Sequence, residues 1–306
     1  MDRKRKQKRE QLEKEYQKGT TMEQIVFRQR VEGLVEAEQV IRENEFSMAN
    51  RHFHDTYELY YLLEGERYYF IDKETYRVGA GDVVLVKPNQ IHKTSMAKSS
   101  YHNRMLLQIK GEAFNSFLKG NGFLTLGELY DRNMQIISLK KRDADAVKTM
   151  ILQIMEEIRE KKKEYELMVK VKLLELLVLL ARYRKNMLPD SKEQTAQTAK
   201  HQKVHEVADY LQTHPDTKEC LEELAGRFYI SKSYLSRIFK EVTGFGVNEY
   251  TNIVRVKKAQ NLLIYGEYSV TEISELLGFE SITYFERVFK KYTLYTPLRY
   301  RREKRA

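Results

Sequence analysis

At 306 residues, with 42% apolar and 32% charged side chains, the chain has room for two domains that each bury a core, which excludes a disordered protein. The net charge of +10 suits a polyanionic partner, although charge alone does not name one. The longest apolar stretch, Leu173 to Ala181, is broken by Glu175 and too short for a bilayer, while a lone Cys220 excludes an internal disulfide and fits a reducing cytoplasm.

Residues 1–21 form a basic tail with no apolar run behind Met1-Asp-Arg-Lys-Arg5, so a secretory signal is not expected there. From Met22 to Glu45 the apolar residues are sparse, which suggests a short helix or an arm. The texture then turns to β. Tyr57 to Leu63, Arg67 to Ile71, Val83 to Val86 and Met105 to Ile109 are aromatic or β-branched runs, punctuated by Gly65, Gly79, Gly81 and Pro88. Short strands at close spacing predict a small antiparallel barrel or sandwich over 22–112.

The segment 113–188 reads as helical. Val147, Ile151, Ile154 and Ile158 form one stripe; Leu167, Val171, Leu174, Val178 and Ala181 form another beyond the break Lys161-Lys-Lys163. Each is an a/d seam, able either to cover the barrel or to pair with a second copy as a homodimer. Residues 189–203, starting at Pro189, have no apolar pattern and read as a linker. The remainder, 204–306, reads as short helices with turns at Pro215, Gly244-Phe-Gly246, Gly266 and Gly278. Cys220, beside Leu221, is expected in the core.

Within that last region one pattern occurs twice, fifty residues apart: Ser231-Lys-Ser-Tyr-Leu-Ser-Arg-Ile-Phe-Lys240 and Ser281-Ile-Thr-Tyr-Phe-Glu-Arg-Val-Phe-Lys290. Each begins with a serine suited to an N-cap and follows a shorter apolar-patterned helix across a tight turn, the helix-turn-helix layout. Leu221, Leu224, Ala225 and Phe228 should face inward in the first unit, and Val270, Ile273, Ser274 and Leu277 in the second. The outer faces then carry Lys232, Ser233, Ser236, Arg237 and Lys240, and Ile282, Thr283, Glu286, Arg287 and Lys290. Such faces suit base edges and phosphates in a major groove. Tyr284 could reach either core or DNA. Val247 to Tyr265 reads as one helix of about 28 Å at 1.5 Å per residue, close to the 34 Å between successive major grooves.

Residues 204–306 resemble the DNA-binding domain of the AraC/XylS family. The matching residues are Leu235-Ser-Arg-Ile-Phe-Lys240, Gly244, Arg255, Ala259, Leu262-Leu263, Ile273-Ser274, Gly278-Phe279, Tyr284-Phe-Glu-Arg-Val-Phe-Lys290 and Pro297-Leu-Arg-Tyr-Arg301. The resemblance implies base-reading positions at Ser233, Ser236 and Arg237 and at Thr283, Tyr284 and Arg287, with Ile282 and Glu286 beside them. It also implies double-stranded DNA and RNA polymerase as partners, an activator, and no enzymatic turnover. Leu294 stands where the family usually has the glycine that matches Gly244, so that helix end calls for another cap.

In the first domain, alternation along a strand would put His52, His54 and Glu58 on one side, with Tyr60 and Leu62 continuing that face. Together with Gly65, Gly81, Pro88 and His92 this resembles the two motifs of a cupin barrel, and AraC/XylS proteins often carry such a barrel as a sensor. The resemblance implies three alternatives for His52, His54, Glu58, Tyr60 and His92: a small-molecule effector pocket, a structural remnant, or a divalent metal site on the three histidines and Glu58. A cupin metalloenzyme, or control by a partner protein, are the rival functions. Twenty-one tyrosines suit a sugar-like or aromatic-stacked effector. No cofactor is expected to be required.

Overall fold

The computed structural model describes residues 23–43, 54–120, 125–130, 135–186 and 198–305. The basic tail, His52 and most of the expected linker lie outside those residues.

The first described segment is a hairpin, β1 (Glu23–Val31) and β2 (Val35–Arg42), and not the expected helix or arm. The strand signal was hidden because Glu38 and Arg42, which read as solvated, are buried in β2 alongside Ala37 and Val40. The remaining strands are β3 (Tyr57–Ile71), β4 (Glu74–Gly79), β5 (Asp82–Val86), β6 (His92–Met96), β7 (His102–Ile109) and β8 (Ile136–Ser138). All pairings are antiparallel, in the order β1-β2-β7-β3-β5-β8, with β4 and β6 pairing the far half of β3.

Strand β3 therefore belongs to both walls of the barrel. The two aromatic runs read as separate strands are one strand of 15 residues, bent at Leu62–Glu64, where the register with β7 shifts. Gly65 follows with φ +92°, and a Cβ there would meet the Tyr101 carbonyl oxygen at 2.5 Å, so only glycine lets β3 turn over β7. The bulge also changes the phase of alternation. Tyr60 and Leu62 face the interior before it; Tyr69 and Ile71 face the same interior after it, against Val78, Val84, Val86 and Ile136.

The opposite face of the first wall carries Ala37, Leu59, Tyr61, Met105 and Leu107, and packs on helices. These are α1 (Gly111–Gly120), α2 (Leu126–Tyr130), α3 (Lys141–Glu160) and α4 (Tyr165–Asn186). The α3 stripe Val147, Ile151, Ile154 and Ile158 is wholly consumed in this core. On α4 the buried residues are Val169, Leu173, Leu176, Leu177 and Leu180, so the seam expected through Leu167 and Val171 lies outside, 52% and 46% exposed. β8 adds a strand to the barrel from a stretch read as helical.

The C-terminal domain comprises α5 (Ala199–Thr213), α6 (Leu221–Arg227), α7 (Lys232–Thr243), α8 (Val247–Tyr265), α9 (Val270–Leu276), α10 (Ile282–Thr293) and α11 (Pro297–Arg305). α5 starts inside the expected linker, because the Thr198 side chain caps it by accepting from the His201 N–H. Cys220 is exposed, not in the core: it sits at the N-cap of α6, where its N–H donates to Glu223 at 2.8 Å. α8 spans Val247–Tyr265 as read and separates two cores.

The barrel docks on the first core. Phe70 and Ile91, on the outside of the second wall, are buried among Val204, Val207, Ala208 and Leu211. The β3–β4 turn is pinned beside them. The Tyr250 hydroxyl donates to the Asp72 carbonyl oxygen at 2.5 Å, Lys257 pairs with the Asp72 carboxylate at 2.9 Å, and Lys73 with Asp209 at 2.5 Å.

Candidate nucleic-acid interface and effector site

Each helix-turn-helix unit is built from the same local devices. Ser231 and Ser281 cap α7 and α10, accepting at 3.2 Å from the N–H groups of Tyr234 and Tyr284. Leu235, Ile238 and Phe239 fix α7 by burial, and Phe285, Val288 and Phe289 fix α10. Helical period then forces Lys232, Ser233, Ser236, Arg237 and Lys240, and Ile282, Thr283, Glu286, Arg287 and Lys290, onto exposed faces. The preceding turns differ: two residues separate Phe228 from Ser231, and three separate Leu277 from Ser281.

An additional repeat lies on these faces. Arg237 stands over the Tyr234 ring at 5.4 Å, and Arg287 over the Tyr284 ring at 5.2 Å. Each tyrosine holds its arginine flat one turn away, which lowers the entropy the guanidinium would lose on reaching a base edge. Tyr234 borders the apolar stripe of α7 by helical period, yet is exposed. Tyr284 is half-buried, its hydroxyl accepting from Asn252 at 2.9 Å.

The glycine that ends α7 has a substitute after α10 but no change of geometry. Gly244 has φ +84° and Leu294 has φ +66°, and both N–H groups donate to the carbonyl four residues back at 2.9 Å. The expected alternative cap is absent: Leu294 adopts the left-handed conformation itself, at 81% exposure. Gly244 is fixed for a further reason. A Cβ there would meet Lys93 Cδ of the barrel at 2.8 Å.

In the barrel, His54, Glu58 and His92 converge. His54 precedes β3, so strand alternation was the wrong reason for the right neighbour. Glu58 Oε2 lies 3.2 Å from His54 Nε2 and 3.6 Å from His92 Nε2, while its other oxygen accepts from the Tyr69 hydroxyl at 2.7 Å. Burial acts most strongly on Glu58 and pushes its pKa up, but the charge and hydrogen bonds of His92 and His54 outweigh it, holding the carboxyl well below its usual range. For His54, burial lowers the pKa, and the Glu58 hydrogen bond and charge reverse this to a net rise.

The outer ring nitrogens are held from behind. His92 Nδ1 lies 2.8 Å from the Gln90 carbonyl oxygen and must donate to it; His54 Nδ1 lies 3.1 Å from the Thr56 carbonyl oxygen and 2.8 Å from the Thr56 hydroxyl. Both Nε2 atoms are thereby aimed at one carboxylate oxygen, and the three ligand atoms lie within 4.8 Å of one another. Tyr60, also buried, extends this interior, its ring 5.3 Å from that of Tyr69.

Residues 39–177 match the model of the AraC-like ligand binding domain, and residues 224–303 match that of a helix-turn-helix domain. The chain therefore carries an AraC-like ligand binding domain ahead of a helix-turn-helix domain. The regulatory protein PocR of Salmonella typhimurium is 33% identical over 101 residues, covering 33% of this chain and 33% of its own length. The HTH-type transcriptional regulator YijO of Escherichia coli is 36% identical over 97 residues, covering 32% of this chain and 34% of its own. The matches thus span about a third of the length of these curated relatives. ToxT of Vibrio cholerae is similar at 17% identity, over 88% of this chain and 97% of ToxT, with a TM-score of 0.36. Among the described residues no helix is long and apolar enough to cross a membrane.

Sequence reasoning missed Tyr69 and Lys93. Tyr69 lay in a recognised aromatic run, but its inward direction depends on the β3 bulge. Lys93 follows His92 on β6, yet its Nζ donates to the carbonyl oxygen of Glu241 at 2.8 Å, at the end of α7. Nothing local marks that partner, 148 residues away.

Proposed function

We propose that this protein is a cytoplasmic, homodimeric transcription regulator without enzymatic turnover. It reads two unlike DNA segments per subunit, and a small molecule bound in the barrel controls it. The paired exposed faces carry the reading: two capped helices, each presenting an arginine stacked on a tyrosine, on a chain of net charge +10. Ser233, Ser236 and Arg237 meet base edges in one segment, and Thr283, Glu286 and Arg287 in the other; Lys232, Lys240 and Lys290 meet phosphates. Arg237→Ala and Arg287→Ala should each cost about 1–3 kcal/mol of specific binding and relax preference at opposite ends of the site. Unchanged footprints in both variants would sink this reading.

The dimer contact falls on α4. Leu167 and Val171 of the second stripe lie exposed on its outer side, while Leu174 of the same stripe turns to the core. Leu167→Glu with Val171→Glu should give a monomer in sedimentation. Control passes along β6. His92 faces the effector side of the barrel and Lys93 holds the end of α7, so an effector that shifts β6 alters the first reading helix and not the second. Contact with RNA polymerase, and hence activation, follow family habit and are tested by transcription in vitro.

A second reading of the barrel is favoured by the pinned Nδ1 atoms. His54, Glu58 and His92 fit a divalent cation, with both Nε2 atoms turned toward one Glu58 oxygen. Such a cation would supply a fixed positive centre for an effector oxygen. Metal analysis of the purified chain, with and without His92→Ala, decides between the two.

A further inference from the structure

The far end of the barrel interior is built from charge. Arg67 is fully buried, and Arg42 and Arg104 are each 6% exposed. His102 is buried among them. The register brings these residues together from three strands: His102 of β7 pairs with Arg42 of β2 and with Gly65 of β3, and Arg104 pairs with Val40 and Leu62. Residues two apart on adjacent strands share a face, so Arg42 and Arg104 are neighbours. The β3 bulge turns Arg67 to the same side, in phase with Tyr69 and Ile71.

The acidic partners in this cluster are already shared. Glu38 accepts from Arg104 at 2.5 Å and from Arg28 at 2.6 Å; Glu23 accepts from Arg42 and from Arg28, both at 3.3 Å. Yet Nη1 of Arg104 and the hydroxyl of Tyr60 are buried with no hydrogen-bond partner among the described residues. These two groups adjoin, with the Arg104 guanidinium 6.0 Å from the Tyr60 ring centre. A guanidinium N–H and a phenol O–H kept from water without acceptors are costly. Three arginines gathered in an interior also repel one another, and the carboxylates that offset this, Glu38 and Glu23, are each shared with Arg28. The mutual effect is already visible in His102, whose pKa falls to about 4 through burial and then through Arg67, Arg42 and Arg104.

We infer that the barrel is an anion site: its effector carries a carboxylate or phosphate group that is bound by Arg104, Arg67 and Tyr60. The rest of such a molecule extends toward Tyr69, His92 and Glu58, past the edge-to-face rings of Tyr60 and Tyr69. A neutral sugar would offer Arg104 Nη1 and the Tyr60 hydroxyl no charged acceptor. This inference rests on the barrel being the effector site, and is independent of which DNA the helices read.

The test uses the full chain and matched probes of equal skeleton: glucuronate against glucose, benzoate against benzyl alcohol, and phosphate against chloride at equal ionic strength. Calorimetry should show at least one anion binding roughly tenfold or more above its neutral or chloride counterpart, a difference of one charge-assisted hydrogen bond. Arg104→Gln should remove that preference. Tyr60→Phe should weaken the anion severalfold without lowering the melting temperature of the anion-free chain, because its hydroxyl has no hydrogen-bond partner among the described residues. Neutral members binding as well as their anions, with Arg104→Gln indifferent, would overturn the anion class and leave small-molecule control standing. No saturable binding by any of the three anions would overturn it too. A failed footprint with intact anion binding would strike the DNA reading alone.

Discussion

The two helix-turn-helix units repeat each other in caps, buried stripe and arginine-on-tyrosine faces, but only one of them is joined to the barrel. The first core takes in Phe70 and Ile91 and its second helix is held by Lys93; among the described residues, the second core contains nothing from the barrel. The difference explains a detail of sequence. Gly244 is needed where Lys93 crosses, and Leu294 is tolerated at the matching place because it points into solvent. Two similar local sequences thus sit in different surroundings, one unit joined to the barrel and the other not.

The largest test of this asymmetry is Phe70→Ala. Removing a fully buried ring from the joint should cost about 3–4 kcal/mol. Hydrogen exchange should then rise in α5 and α7 and stay unchanged in α10; equal loosening of both units would break the comparison. Arg255→Ala comes next. Arg255 donates to the carbonyl oxygens of Pro215 and Thr217 at 2.7 and 2.8 Å and lies 5.2 Å over the Phe279 ring, tying the first unit to the second. Its loss should cost roughly 2–3 kcal/mol in urea unfolding and should affect both units together.

Acid provides a third test. Burial first, and then neighbouring cations, depress His102 in the barrel and His201 at its joint with the first unit, each to about 4. Both are neutral when folded, so their contribution is present above the unfolded value near 6.5 and lost as pH falls through 4. Each should cost about 2 kcal/mol by pH 5. No histidine lies beyond His214. The barrel and first unit should therefore melt earlier on acidification, while exchange in α9 and α10 stays flat. The smallest effect separates the two helix ends. Leu294→Gly relieves a left-handed leucine and should stabilise by about 1 kcal/mol. Gly244→Ala should destabilise, since it adds strain at φ +84° and presses on Lys93.

Much of the DNA-reading half was legible from sequence because its signals are local. A serine cap, a 3.6-residue stripe and a turn glycine act within a dozen residues, and α8 came out at its read boundaries. The barrel was less legible for an equally physical reason. Its interior is polar, so Glu38, Arg42, Arg67 and Arg104 looked like solvent-facing residues, and the hairpin that holds two of them was taken for a helix or an arm. The second α4 stripe was visible as a seam, but which seam the barrel consumes depends on where the sheet lies.

The sequence by itself determined the duplicated reading helices, their outward arginines and the change from strand to helix between the domains. Those follow from periodicity and capping, which need no distant partner. Tertiary structure alone decided three things: that a single bulge at Leu62–Glu64 turns both halves of β3 toward one interior, that three arginines meet there, and that Lys93 reaches the end of α7. Each depends on residues brought together across strands or domains, where register and docking set the neighbours.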